Sequence, residues 1–214
     1  MKSFLIIGMG TLGHHLFWEL NKRNCEIMVA DIDASALEDV VHQAVSSRVG
    51  DCKNIEMLKT LGVEDFDACF VCLNDYFLDC LEITDLLKEL GAKKVYSAAN
   101  RSIEEKFLLK SGADRIIFPE RDIARRIAGI ESAQNIFDFI SLSDEYSIFE
   151  IEPNPKWIGK TVLELDFRNR YKLNIIAIKA DDEVNPIFRN DYVFKPDEHL
   201  LVLGHADDLK AAMK

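Results

Sequence analysis

The chain has 214 residues, of which 48% are hydrophobic and 29% charged, a composition typical of a globular protein with enough apolar material for a core. Its formal net charge of −11 argues against nucleic-acid binding and against direct contact with an anionic membrane, because both need an excess of Lys and Arg. No apolar run reaches the ~18 residues of a membrane span, and the N-terminus lacks a signal-peptide layout. We therefore expect a cytoplasmic protein with no direct membrane insertion.

The cysteine content predicts free thiols. The number is odd, and the residues are spread over a strand-rich first half rather than paired at disulfide-like spacings: Cys25, Cys52, Cys69, Cys72 and Cys80. Cys69 and Cys72 match C-x-x-C, but they lie in a predicted strand, where residues three apart point to opposite faces. That geometry excludes a shared metal or a redox pair, so we interpret both as small buried residues.

A strand, a glycine turn and a helix open the chain. Residues 4–7 are apolar and typical of a buried parallel strand. A G-x-G-x-x-G motif follows at Gly8, Gly10 and Gly13, and leucines at helical spacing then indicate a helix that begins within the turn. In this motif the first glycine permits the turn, the second lets a pyrophosphate approach the backbone, and the third lets the helix pack closely. The amides of the first helical turn would then form an anion site.

A second apolar strand, residues 26–30, ends at Asp31, about 20 residues beyond the glycines. The dinucleotide fingerprint has an acid at this place, where it accepts hydrogen bonds from ribose hydroxyls. The order of strand, turn, helix, strand and acid therefore favours nucleotide binding. The alternative is a glycine-rich turn that binds nothing. An acid here disfavours a 2′-phosphate, so NADP is the least expected ligand.

Strands and helices keep alternating as far as residue 118. Periodicity predicts helices over 35–45, 54–61, 76–90 and 103–110, and strands over 47–49, 66–73, 94–98 and 115–118. This alternation predicts an α/β fold with a Rossmann-like, doubly wound parallel sheet. Such sheets bind ligands at the carboxyl ends of their strands, so Asp51 and Asn74 join Asp31 as candidates. Asp51 could equally be a plain turn residue.

The second half has a different texture. A helix is predicted over about 120–140, with too many apolar residues for a lone surface helix. It either packs on its own domain or bridges subunits or lobes, and we favour the bridge. Short strands over 146–151, 174–178 and 200–203, with helical segments over 161–165 and 206–213, then predict a small α+β lobe. We place the domain boundary at about Ser143, giving domains 1–143 and 144–214.

Taken together, these motifs resemble the regulator of potassium conductance (RCK) family, in particular the KtrA and TrkA type of cytosolic subunit in bacterial potassium uptake systems. The resemblance spans essentially the whole chain. Beyond the glycine motif it rests on the stretches GADRIIFPERD at 112–122, LSDEYS at 142–147 and GKTVLEL at 159–165. The glycine motif is shared by many families, whereas GADRIIFPERD and LSDEYS, in this order and in a chain of this length, are much more specific.

The resemblance implies a non-catalytic regulatory subunit. Family members form homodimers that assemble into homo-octameric rings under a membrane-embedded potassium channel or transporter subunit of the KtrB or TrkH type. The ligand in the glycine cleft is ATP or ADP in one branch and NAD(H) in the other, and it controls the ring's conformation. The protein would then lie at the inner face of the cell membrane, held there by its partner. Two alternatives remain, an NAD-dependent oxidoreductase and a nucleotide sensor acting on another membrane partner.

The resemblance also implies specific residues. The nucleotide candidates line the glycine turn and the strand ends that follow: Gly8, Gly10, Thr11, Leu12, Gly13, Asp31, Ile32, Asp51, Cys52, Asn74 and Asp75. Glu120 is implied as a ligand to Mg²⁺ or Ca²⁺, although an acid near a helix N-terminus is the alternative. Cyclic di-AMP binds the C-terminal lobe of some relatives, and its candidate contacts here are Arg168, Asn174, Ile175 and Pro186.

One departure bears on the ligand. Many relatives that sense ATP have Arg where this chain has Thr11, and the arginine reaches the terminal phosphate. His14 and His15 follow and could supply part of that charge, or they could be ordinary surface imidazoles. The end of the predicted fifth strand also lacks the basic residue common in the family. Discrimination between ATP and ADP is thus weakly supported, and NAD(H) stays open.

Overall fold

The computed structural model describes residues 1–73, 75–131, 136–143, 145–181 and 183–214. Contacts divide the chain into two compact units, Met1–Asp122 and Ile123–Lys214. Within the described ranges, no helix has the length and apolar character needed to cross a bilayer. The domain boundary predicted at about Ser143, which gives domains 1–143 and 144–214, stays a prediction.

The first unit contains a six-stranded parallel sheet. Its strand order is β3-β2-β1-β4-β5-β6, with every neighbouring pair parallel. The central strands are almost fully buried, because helices cover both faces of a doubly wound sheet. The fold class predicted from the sequence is confirmed. The strands are β1 Ser3–Ile7, β2 Glu26–Asp31, β3 Ser46–Val49, β4 Ala68–Val71, β5 Val95–Ala98 and β6 Arg115–Ile117.

The helices of this unit are α1 Thr11–Asn21, α2 Ile55–Leu61, α3 Phe77–Glu89 and α4 Ser102–Lys110. Helix α5 is Pro119–Glu131, and the first unit ends within it at Asp122. One core cluster joins the sheet to α1, while the other joins it to α2, α3 and α4. Cys69 belongs to the second cluster and Cys72 to the first, and both are buried. The prediction that these two cysteines are small core residues on opposite faces is confirmed, and all five cysteines are free.

The helix predicted over residues 35–45 is wrong. The structure has only a short 3₁₀ turn, Ala34–Leu37, followed by further turns. The Asp33 carboxylate accepts a hydrogen bond from the Ser35 N–H at 2.9 Å and so caps the start of this 3₁₀ turn. Leu37 and Val40 are the buried anchors of the segment, and their i, i+3 spacing is met by a 3₁₀ turn without a full helix.

The second unit is a five-stranded antiparallel sheet with short helices, which confirms the predicted α+β lobe. Its order is β10-β9-β11-β8-β7. One face packs on the helices around Trp157 and Phe167, in a core separate from that of the first unit. The strands are β7 Ile136–Ser141, β8 Tyr146–Ile151, β9 Asn174–Ala180, β10 Glu183–Asn185 and β11 His199–His205, and the helices are α6 Val162–Leu165, α7 Phe167–Tyr171 and α8 Ala206–Ala212.

The helix predicted to run to Ile140 is also wrong in its second half. Helix α5 is described as far as Glu131, and Ile136–Ser141 is strand β7, paired antiparallel with β8. Phe139 lies opposite Phe149 and packs against the core, whereas Ile140 is 61% exposed. Side chains that alternate between the inside and the outside are characteristic of a strand. The prediction relied on the apolar content of this segment, which does not distinguish a strand from a helix. Strand β10 and helix α7 were not predicted.

Candidate functional site

The glycine turn lies where β1 meets α1. Gly8 has φ +90°, a left-handed conformation that favours glycine, and its N–H donates to the Ala30 carbonyl at 2.9 Å. A Cβ at Gly8 would stand 2.6 Å from Leu73 Cδ2 and 3.1 Å from the Cys72 carbonyl oxygen. The turn is thus fixed between the ends of β2 and β4, at the carboxyl edge of the sheet.

Gly10 and Gly13 have opposite surroundings. A Cβ at Gly13 would overlap the backbone carbonyl of Gly8, so only glycine lets α1 start this close to the turn. At Gly10 a Cβ would meet no heavy atom within 4 Å. Gly10 is the N-cap of α1 without a side-chain cap, and the first amides of a helix have no acceptor inside it. The turn therefore offers open space and N–H donors, which is what a phosphate needs.

Asp31 joins three strand ends. Its Oδ2 accepts from the Met9 N–H at 2.6 Å, and its Oδ1 accepts from the Asp33 N–H at 2.9 Å. The Asp31 carbonyl accepts from the Gly50 N–H at 2.8 Å. The carboxylate is thus held against the glycine turn, where the fingerprint requires an acid for ribose hydroxyls. These contacts also give Asp31 a second role, since it fixes the backbone of the turn itself.

The loop after β3 forms the next part of this edge. Asp51 Oδ1 accepts from the Lys53 N–H at 2.9 Å, so the turn role that the sequence left open is present, and adenine contact stays a prediction. Cys52 is 5% exposed, and burial, followed by the charges of Asp51 and Asp31, raises its thiol pKa to about 12. Burial thus favours the protonated thiol and shields it from reagents in the folded state. Ile32 is 69% exposed and offers an apolar surface beside Asp31.

The remaining nucleotide candidates are only partly placed. Thr11 is exposed and Leu12 half-buried on the first turn of α1, and Asp75 is exposed just before α3. Asn74 lies outside the described residues. His14 Nδ1 lies 3.2 Å from Asp39 Oδ2, so this imidazole is directed toward an acid rather than toward the glycine turn.

The cation candidate Glu120 is exposed in the first turn of α5. In the parts of the chain that the structure describes, no group of three or more His, Cys, Asp or Glu residues is placed to hold a metal ion. A carboxylate in this position also stabilises a helix N-terminus, which was the alternative interpretation. Its role as a Mg²⁺ or Ca²⁺ ligand stays a prediction.

A groove of about 450 Å³ lies in the second unit between α6, α7 and the start of β9. Three of the four candidate residues predicted for this lobe line it, namely Arg168, Asn174 and Ile175, while Pro186 is not among its lining residues. Arg168 Nε donates to Asn174 Oδ1 at 2.6 Å, which orients the guanidinium. Sequence reasoning did not assign the apolar walls to this site, although two of their residues lie in the GKTVLEL stretch: Val162, Leu163, Phe167, Leu173 and Phe188.

Comparisons with known proteins identify matches across both units. Residues 4–119 match the TrkA-N domain model and residues 146–214 the TrkA-C domain model. The chain is 35% identical over 208 residues to "Ktr system potassium uptake protein C" of Bacillus subtilis (strain 168), covering 97% of this chain and 94% of that protein. It is 30% identical over 209 residues to "Ktr system potassium uptake protein A" of the same organism, covering 98% and 94%.

Among solved structures, the chain is similar to "GsuK channel bound to NAD". The TM-score is 0.69 at 21% identity, and the match covers 99% of this chain and 38% of the GsuK chain. This chain therefore spans well under half the length of that structure. At this identity the similarity concerns the fold.

Proposed function

The chain belongs to the family of TrkA-N and TrkA-C domain proteins, the RCK family that includes the Ktr potassium uptake proteins, and on this premise we propose that it is a nucleotide-responsive regulatory subunit of a potassium uptake system. The observation that carries the proposal is the edge of the first sheet. There the open space at Gly10, the close packing at Gly13 and the carboxylate of Asp31 meet in one fingerprint. These residues fit the phosphate and ribose of an adenine nucleotide.

The regulator acts without catalysing a reaction. A nucleotide that binds one arrangement of the assembled subunits more tightly than another shifts the population toward the first. The shift is limited by the ratio of the two affinities, so a ligand with equal affinity for both arrangements would regulate nothing. Potassium transport would respond because the favoured arrangement is transmitted to the membrane partner.

The ligand in the cleft is an adenine nucleotide, either ATP or ADP or else NAD(H). Asp31 supports a free ribose diol, because a 2′-phosphate would meet its negative charge at short range. Thr11 adds no positive charge, so a multiply charged polyphosphate would depend on the helix amides and on a divalent cation such as Mg²⁺ or Ca²⁺, for which Glu120 is the candidate ligand. The GsuK channel, which has a similar fold, was solved bound to NAD, and this is consistent with a dinucleotide in this fold.

Equilibrium titration of the purified protein with ATP, ADP, NAD⁺, NADH and NADP⁺ tests the proposal. We expect at least one adenine nucleotide to bind with a dissociation constant below the millimolar range, and NADP⁺ to bind more weakly than NAD⁺. Repeating the ATP and ADP titrations with and without Mg²⁺ or Ca²⁺ tests the cation. If no nucleotide binds below the millimolar range, the proposal for the cleft fails.

The assembly proposed is a homodimer that builds a homo-octameric ring against a KtrB- or TrkH-like membrane subunit, at the inner face of the cell membrane. Helix α5 supports a contact between subunits. None of its residues is buried, and Ile123 and Ile127 are 61% and 56% exposed on one side of the helix. Light scattering at micromolar concentration should give a mass several times that of one chain, whereas a monomer would contradict the ring.

The groove of the second unit is proposed to bind cyclic di-AMP. Its apolar walls suit an adenine base, and the oriented guanidinium of Arg168 suits a phosphate. Arg168→Ala should weaken cyclic di-AMP binding about tenfold or more, because a charge-assisted hydrogen bond to the phosphate is lost. Arg189→Ala is the control, since this exposed arginine pairs with Asp191 and does not line the groove. Titration calorimetry with equal losses in both variants would contradict the assignment.

A further inference from the structure

The loop after β3 and the start of α3 meet across two intervening strands. In the sheet order, β2 and β1 stand between β3 and β4, so the ends of β3 and β4 are about 14 Å apart. Nevertheless Lys53, which follows β3, places its Nζ 3.2 Å from Oδ1 of Asp79, which lies in the first turn of α3 after β4. The ion pair therefore runs along the carboxyl edge of the sheet, past the strand ends that carry the glycine turn and Asp31.

We propose that Lys53 and Asp79 form a latch that closes one side of the nucleotide crevice, with Lys53 as the positioning residue that holds the loop 50–54 in place. The inference deepens the proposed nucleotide function and rests on it for the ligand. Helices α2 and α3 both pack on the same core cluster, so the latch lies on that face of the sheet, opposite the face covered by α1. A nucleotide on the glycine turn would have the latch as one wall.

The loop is held at several points, and the latch is its outer tether. The Gly50 N–H donates to the Asp31 carbonyl at 2.8 Å, and the Lys53 N–H donates to Asp51 Oδ1 at 2.9 Å. Only the Lys53 side chain ties the loop to α3 among the hydrogen bonds described for it. Without this tether the segment around Cys52 is expected to open more often, because one of its anchors to the rest of the sheet edge is gone.

Charges on neighbouring elements support the pair. The hydrogen bond and charge of Asp79, followed by the charges of Asp51 and Glu82, raise the pKa of Lys53 and so favour its charged ammonium. Both partners are about one-third exposed, at 34% and 35% of the side chain. Such a pair contributes little to global stability, and its effect lies in the position of the loop.

Cys52 provides a direct reporter of the latch. Its thiol is buried beside Lys53, while Cys25 is partly exposed and Cys69 is buried within β4. Lys53→Met and Asp79→Asn should each raise the rate at which a thiol reagent labels Cys52 by about twofold to fivefold, and Lys53→Arg should keep it near the wild-type rate. Peptide mass spectrometry follows each cysteine separately. Cys25 should react at the same rate in every variant, and Cys69 should stay protected wherever the fold is intact.

Binding supplies the second readout. Whichever adenine nucleotide binds the wild-type protein should bind Lys53→Met about twofold to fivefold more weakly, with Lys53→Arg close to wild type. Lys59→Met is the matched control, because Lys59 pairs with Glu56 within α2 and is not part of the crevice. It should change neither affinity nor Cys52 labelling.

The outcomes separate the two proposals. If no nucleotide binds the wild-type protein but Cys52 is uncovered in Lys53→Met, the proposed function fails and the latch stands. If nucleotide binds normally and Cys52 labelling in Lys53→Met equals the wild-type rate, the latch is overturned. Labelling of Cys69 together with Cys52 would show general unfolding, and this too would count against a local latch.

Discussion

Gly13→Ala is expected to abolish nucleotide binding and to lower the free energy of unfolding of the first unit by about 1–3 kcal/mol. The added methyl group would overlap the Gly8 carbonyl, which is backbone and cannot rotate away. The start of α1 must then move off the glycine turn. This displaces the amides that would hold a phosphate, and it disturbs the packing of Phe17, a fully buried residue of the same helix.

Gly10→Ala is the matched control, because the same methyl group at Gly10 meets no heavy atom within 4 Å. Its unfolding free energy should stay within about 0.5 kcal/mol of wild type. Nucleotide binding should nevertheless weaken, since the methyl group would occupy the space through which a pyrophosphate approaches the backbone. Denaturant unfolding of both variants measures the change in stability, and nucleotide titration measures the change in affinity. A Gly13→Ala protein with wild-type stability and affinity would contradict the account of the turn.

The glycine turn and Asp31 were predictable from the sequence because their chemistry is local. A tight turn, a close helix and a ribose acceptor each require a particular residue at a fixed spacing along one βαβ unit. The doubly wound sheet was predictable for a similar reason, since alternating buried strands and amphipathic helices leave few arrangements. The strand order that brings Asp31 to the Met9 N–H is a consequence of that topology.

The failures share a different cause. Over residues 35–45 the apolar spacing fitted a helix, yet burial of Leu37 and Val40 needed only a short turn. Over 136–140 the apolar run fitted a continued helix, but pairing with β8 decided for a strand. In both cases tertiary contacts override local periodicity.

Contacts between residues far apart in the chain could likewise not be predicted from the sequence. Nothing in the sequence around Lys53 indicates Asp79, because their meeting depends on where α2 and α3 lie on the sheet. The groove beside Arg168 is similar, since Phe188 reaches it from a loop beyond β10. Binding sites are thus predictable to the extent that one segment carries them.

Asp31→Ala is expected to weaken binding of adenine nucleotides by about 1–3 kcal/mol, which corresponds to about 5-fold to 150-fold in the dissociation constant. Part of the loss is direct, because the ribose hydroxyls lose a charged acceptor. The other part is indirect, because the Met9 and Asp33 N–H groups lose the carboxylate that now accepts from them at 2.6 and 2.9 Å. The glycine turn would then be less well fixed before any ligand arrives.

Asp31→Asn separates these two parts. The amide oxygen can still accept from the Met9 N–H, so the glycine turn should keep its position. The amide nitrogen cannot accept from the Asp33 N–H, and the charge that favours ribose hydroxyls is gone. We expect an affinity between those of wild type and Asp31→Ala. Asp33→Ala is the control for removing an acid from the same segment. Its carboxylate caps the following turn through the Ser35 N–H at 2.9 Å, so affinity should change little. Titration of the three variants with the nucleotide that binds wild type tests this, and an unchanged affinity in Asp31→Ala would remove Asp31 from the site.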